Sequence, residues 1–143
     1  TSDHELWENG DPVRPELAVA FKTVPGRRVH GLQKSDGPYV AFCCTAKTTA
    51  VPRSAWELDA LTSPTGQVII PYTVWSLERG AGRMILKEIL ARVGETGQAK
   101  RVVTLSPPTE MARRFHLRNG AREISVNKDT VNFEYEIPTG DDQ

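Results

Sequence analysis

The stretch from Gln67 to Gly94 constrains this chain more than any other. A strongly apolar run ending in Tyr72-Thr73-Val74-Trp75-Ser76 passes through Leu77-Glu78-Arg79-Gly80-Ala81-Gly82 into a segment of helical periodicity. Over residues 82–94, Ile85, Ile89 and Val93 with Leu86 and Leu90 make one apolar face, and Arg83, Lys87, Glu88 and Arg92 fall off it. A helix start leaves about four backbone N–H groups without intrahelical partners, and aligned peptide dipoles add partial positive charge there. Glycines at 80 and 82 let the backbone approach a ligand closely, and Arg79 and Arg83 add fixed charge. The segment therefore has the chemistry of a phosphate cradle. It equally suits a tight strand-to-helix turn with no ligand, a common use of a lone Gly-x-Gly. A Walker loop is excluded because Arg83-Met84 stand where Lys-Ser/Thr is needed, and a dinucleotide fingerprint because Ile85 stands where a small residue is needed.

The length of 143 residues predicts a single domain, 1–143, large enough to bury roughly two-thirds of its unfolded surface. The 18 basic and 18 acidic side chains cancel, so no general attraction to nucleic acid or an anionic membrane is expected and any anion site is local. No apolar run approaches the ~20 residues needed to span a bilayer, and Thr1 to Gly10 is polar rather than signal-like, which predicts a soluble cytoplasmic protein. The only cysteines, Cys43 and Cys44, are neighbours on a predicted strand and point to opposite faces, which makes them a poor disulfide pair and predicts packing roles. His4, His30 and His116 have no ligand-like spacing to them, so no metal is expected.

Residues 1–13, with Asn9-Gly10-Asp11-Pro12, read as a loose arm, and Pro15 to Lys22 as a short helix with Leu17, Ala18 and Phe21 on one side. Arg28–Gln33 and Tyr39–Thr45 read as a hairpin turned at Lys34-Ser35-Asp36-Gly37-Pro38. Residues 46–66 read as a long connection with one helical turn around Trp56, Leu58 and Leu61. Strand 67–76 carries Pro71, which predicts a bulge or a missing ladder bond. Arg101–Ser106 reads as a buried strand ended by Pro107-Pro108. Thr109 is placed to cap a helix with Met111, Ala112 and Phe115 inward and Arg113, Arg114 and Arg118 outward, stopped at Asn119-Gly120. After Arg122–Val126, the run Thr130–Ile137 alternates as a half-buried strand whose exposed edge could pair two copies as a homodimer.

This order of elements over residues 27–137 resembles the GNAT superfamily of acyl-CoA-dependent N-acyltransferases. Two motifs carry the likeness. Leu77-Glu78-Arg79-Gly80-Ala81-Gly82 is similar to the family's Gln/Arg-x-x-Gly-x-Gly/Ala loop, and Thr109-Glu110-Met111-Ala112 leading to His116-Leu117-Arg118-Asn119-Gly120-Ala121 is similar to its Asn-x-x-Ala helix and Tyr-x-x-x-Gly-Phe. A fainter likeness is to GNAT-like proteins encoded by bacteriophages. The resemblance implies an α/β (α+β) fold with a mixed, mostly antiparallel central sheet flanked by helices. It implies acetyl-CoA as cosubstrate, without metal, held by Tyr72, Val74, Glu78, Arg79, Gly80, Ala81, Gly82, Arg83, Thr109 and Ala112. His116 stands where the family often has a tyrosine that protonates the departing thiolate, Leu77 replaces the usual Gln/Arg, and Ala121 the usual Phe. The segment before residue 27 is short for the helical pair that shapes the acceptor pocket.

The activity so implied is transfer of an acetyl group from acetyl-CoA to an amine by direct attack. A lysine-like amine is mostly protonated at pH 7, and reaching its neutral form costs about 4–5 kcal/mol, so a base or water relay is required. Strand 67–76 has no carboxylate; Glu57, Asp59, Glu134 and His30 are the candidate bases. Two other readings suit the same residues: a catalytically inactive GNAT-fold structural or interaction protein, for example a viral component, and a small α/β module binding another phosphorylated ligand.

Overall fold

The computed structural model describes residues 25–33, 35 and 37–138. The predicted arm 1–13 and helix Pro15–Lys22 lie outside the described residues.

Alternation along the second strand sets the layers. In β2 (Tyr39–Thr48), Ala41 and Cys43 enter one core while Phe42, Cys44 and Ala46 enter another on the opposite face. Neither cysteine forms a disulfide among the described residues, and both are buried, one on each side of the sheet, as their adjacency implied. The remaining elements are β1 (Arg27–Gln33), α1 (Ala55–Leu61), β3 (Val68–Ser76), α2 (Ala81–Thr96), β4 (Arg101–Val103), α3 (Glu110–Arg118), β5 (Arg122–Val126) and β6 (Val131–Tyr135). The six strands form one sheet in the order β1-β2-β3-β4-β6-β5, antiparallel throughout except between β3 and β4. Ile85, Leu86, Ile89, Leu90 and Val93 of α2 cover the Cys43 face, as the helical period requires. Leu58 of α1 packs on the Cys44 face with Tyr72 and Trp75. Among the described residues no helix is long and apolar enough to cross a membrane, and no three His, Cys, Asp or Glu cluster as a metal site would.

Several sequence expectations change in the folded chain. The connection 46–66 holds a two-turn helix rather than one turn, because Ser54 and Glu57 both cap its start: Glu57 N–H donates to Ser54 Oγ at 3.0 Å and the preceding Arg53 N–H to Glu57 Oε1 at 3.0 Å. Helix α2 does not stop at Gly94 but runs to Thr96, with Gly97 closing it in the left-handed region at φ 64°. A glycine is needed at 94 because a side chain there would run into the carbonyl of Pro138, which crosses the helix.

The last strand is the third change. β6 is not a half-buried edge: it lies between β4 and β5, so the outer strands among the described residues are β1 and β5, and the predicted pairing of two copies through the last strand has no free edge to use. Its polar side is covered as well. Asn132 is fully buried, donating Nδ2–H to Pro52 O at 3.0 Å and Thr104 O at 2.7 Å and accepting from Asn127 Nδ2 at 2.8 Å. Those bonds fix the chain preceding α1 onto the sheet and compensate the burial of the amide.

The feature that makes a site is a split in the sheet. The β3–β4 ladder pairs Val68 with Arg101 and Ile69 with Val102, flanked by bonds from Lys100 N–H to Gln67 O at 2.8 Å and from Leu105 N–H to Pro71 O at 3.3 Å. On its other side β3 bulges, since Cys44 faces Thr73 and Thr45 faces Pro71, leaving Tyr72 as the extra residue. Proline has no N–H to continue a ladder, and the bulge adds local twist, so β3 swings away from β4 beyond this point. The predicted strand to Ser106 is correspondingly short, with Thr104 and Ser106 bonding β6 rather than β3.

Candidate functional site

Where β3 and β4 diverge, a cavity of about 380 Å³ opens. One wall is β3 from Pro71 to Ser76, the opposite wall is the start of α3 with Thr109, Met111, Ala112, Phe115 and His116, and Gly82 and Ser106-Pro107 complete it. Thr109 fixes the α3 start, accepting from Ala112 N–H at 3.2 Å. Gly82 brings the start of α2 close: a Cβ at that position would lie 3.5 Å from the Phe115 ring and 3.7 Å from Val74.

The start of α2 leaves backbone N–H groups open. Gly80 takes the Ncap position at φ 84°, and no side chain caps the helix. Ala81 N–H is satisfied by Glu78 O at 3.1 Å, while Gly82 and Arg83 N–H have no partner among the described residues. Such groups, with the helix dipole behind them, favour negative charge.

His116 faces the cavity from α3 yet is only 6% exposed. Its ring stacks on Phe133 with centroids 5.2 Å apart, and Nδ1 lies 2.7 Å from Tyr135 OH. Burial lowers its pKa to about 4, so at neutral pH the ring is uncharged. An unperturbed imidazole titrates near ~6.5, and only burial separates His116 from that value.

The same burial makes the fold acid-sensitive. Below about pH 6.5 the unfolded chain binds a proton at His116 that the folded chain refuses until about pH 4, so stability present at neutral pH is lost across that window. At 1.36 kcal/mol per unit the loss is on the order of 3 kcal/mol. His116→Gln is expected to melt below the wild type at pH 7 and to approach it at pH 4. Parallel melting curves across the range would disprove the assignment.

Of the residues singled out in the sequence, Tyr72, Val74, Gly82, Thr109, Ala112 and His116 line the cavity. Glu78, Arg79, Gly80, Ala81 and Arg83 stand at the turn leading into it. The candidate bases are elsewhere. Glu57 is engaged in the α1 cap and Asp59 pairs with Arg27 at 3.0 Å. Glu134 is clamped by Arg101 through two 2.8 Å bonds, which hold its carboxyl below the usual range. His30 bonds Thr45 Oγ1 at 2.9 Å and lines a separate cavity of about 540 Å³ between β1–β2 and α2; burial, then Arg28, lowers its pKa to about 4. No carboxylate lines the β3–α3 cavity among the described residues. Sequence reading missed Ser76 and Ser106, which only the split brings into one cavity, and placed Met111 inward, whereas it is 81% exposed and rims the opening.

No protein-family model matches this sequence, and no curated protein matches it. Solved structures do. An acetyltransferase from Bacillus subtilis in complex with CoA superposes with a TM-score of 0.67 at 9% identity, covering 96% of this chain and 95% of that one. The GphF GNAT-like decarboxylase in complex with isobutyryl-CoA gives 0.64 at 15% identity over 77% and 78%. A protein from Desulfovibrio desulfuricans assigned to the GNAT family of acetyltransferases gives 0.58 at 18% identity over 79% and 70%. The fainter bacteriophage likeness finds no support in these neighbours. With its split mixed sheet and the helix start at the mouth of the split, the chain has the GNAT fold.

Proposed function

We propose that this protein is an acetyl-CoA-dependent N-acetyltransferase. The observation that carries the reading is the cavity formed where the bulged β3 leaves β4, because it joins a strand edge, an uncapped helix start and a buried imidazole in one cleft. The neighbours holding CoA and isobutyryl-CoA support it. In this reading the pantetheine lies along Tyr72 and Val74, and the pyrophosphate takes the free N–H groups of Gly82 and Arg83 with charge from Arg79 and Arg83. Glu78, Gly80 and Ala81 shape the turn, and Thr109 and Ala112 form the facing wall. The amine attacks the thioester carbonyl, a C–N bond forms, the C–S bond breaks, and the sulfur leaves as a thiolate that takes up a proton. Positioning supplies much of the rate. His116, neutral at pH 7, stands as a hydrogen-bond donor to charge developing on oxygen or sulfur. With no carboxylate in the wall, the amine proton leaves through water held by Thr73, Ser76 and Ser106.

A second reading, decarboxylation of an acyl-CoA, is favoured by that same missing carboxylate, since losing carbon dioxide needs no base for an amine; the GphF neighbour is a decarboxylase. The thermal midpoint with and without acetyl-CoA, with adenosine diphosphate as control, is the first test. At a hundred times its dissociation constant a ligand stabilises by about 2.7 kcal/mol, a rise of roughly 5–11 °C at this size. A selective rise followed by acetylation of an amine panel supports the transferase. A rise with turnover only of a carboxylated acyl-CoA supports the second reading. No shift sinks both and leaves a scaffold acting through its surface.

A further inference from the structure

We infer that Tyr135 is a positioning residue that holds His116 in one tautomer, with Nε2–H turned to the cavity as a neutral donor. The tyrosine is 3% exposed on β6, its ring meets the imidazole edge-on with centroids 5.7 Å apart, and its hydroxyl lies 2.7 Å from Nδ1. That contact is the only hydrogen bond of the phenol among the described residues, and Nε2 has none. A phenol and an imidazole can share a hydrogen bond in either direction, and burial decides which. If Nδ1–H donated to the phenol oxygen, the phenol proton of this 3% exposed tyrosine would be left without an acceptor among the described residues, a costly state for a buried donor. If the phenol donates to Nδ1, both groups are satisfied and the ring proton must sit on Nε2.

The surroundings remove the other freedom of the ring. Phe133 stacks beneath it at 29° and Phe115 meets its edge at 78°, so the imidazole plane is fixed. The carbonyl of His116 accepts Asn119 and Ala121 N–H at 3.2 and 3.0 Å, which ties down its backbone at the end of α3. Burial also pushes the Tyr135 phenol up and His116 down, so both stay uncharged at neutral pH. A neutral imidazole N–H can polarise a carbonyl without transferring its proton. The catalytic consequence rests on the acyl-CoA reading above; the tautomer does not.

The experiment separates the two. Nitrogen-15 spectra of the side chain of His116 in the free protein at pH 7 are expected to show a protonated Nε2 and a bare Nδ1. Tyr135→Phe is expected to lose that preference and give a mixture of tautomers. Protonated Nδ1 in the wild type, or an unchanged tautomer in Tyr135→Phe, would overturn the inference. In acetyl transfer, Tyr135→Phe is expected to lower kcat about tenfold with KM for acetyl-CoA unchanged, and equal loss in KM would refute positioning. A fixed Nε2–H tautomer in a protein that acetylates no amine supports the inference and overturns the transferase reading.

Discussion

Gly66→Ala is expected to lower the thermal midpoint by roughly 6–12 °C, the equivalent of about 3 kcal/mol at this chain length. The turn that follows α1 lies flush against the end of β2: Ser63 N–H donates to Lys47 O at 2.9 Å and Gly66 N–H to Ser63 O at 3.0 Å. A Cβ at 66 would overlap the Thr48 carbonyl oxygen and sit 2.5 and 2.6 Å from the Thr48 carbonyl carbon and nitrogen. All three are backbone atoms of a fully buried residue, so no side-chain rotation relieves the contact. Gly97→Ala provides the contrast. At 97 nothing lies within 4 Å and the difficulty is only the left-handed backbone at φ 64°, about 1 kcal/mol. A Gly66→Ala melt no worse than that of Gly97→Ala would show that the turn can lift away freely.

Gly82→Val is expected to weaken acetyl-CoA binding by at least about a hundredfold, about 2.7 kcal/mol, while leaving the melt of the free protein nearly unchanged. The Cβ itself fits, 3.5 Å from Phe115 and 3.7 Å from Val74, so alanine is tolerated by the fold. Valine adds two carbons next to Phe115 and Val74, where Gly82 lines the cavity, beside the N–H groups proposed to meet the pyrophosphate. Calorimetric titration of Gly82→Ala and Gly82→Val side by side measures the two effects. Equal affinity in the wild type and Gly82→Val would remove the cradle from the proposed function, whatever the chemistry.

The elements whose signals are local were legible in the chain. The Thr109 cap, the five apolar residues of α2 and the opposite facing of Cys43 and Cys44 depend on neighbours within one turn or one pleat. Pro71 announced the bulge because a missing N–H acts at its own position. The reach of α1 was missed because the Ser54–Glu57 cap lay in a stretch that Pro52 and Pro64 marked as a connection. The polar side of β6 was misjudged because Asn132 reads as solvent-facing by its type, whereas its bonds run to Pro52 and Thr104, 80 and 28 residues away.

The candidate site divides the same way. The sequence marked the residues that the proposed reading sets against an anion, since the start of a helix leaves N–H groups without intrahelical partners. It did not decide the charge of His116, because desolvation depends on Phe133 and Tyr135, which arrive from a strand formed later in the chain. Nor did it exclude Glu57 and Glu134 from the cleft, since a carboxylate is available as a base only if nothing else holds it, and what holds these two is a helix cap and the Arg101 guanidinium across a strand pair. Periodicity and turn chemistry act over a few residues and are written in the chain. Burial and pairing are properties of surfaces brought together by the sheet, and only the folded molecule sets them.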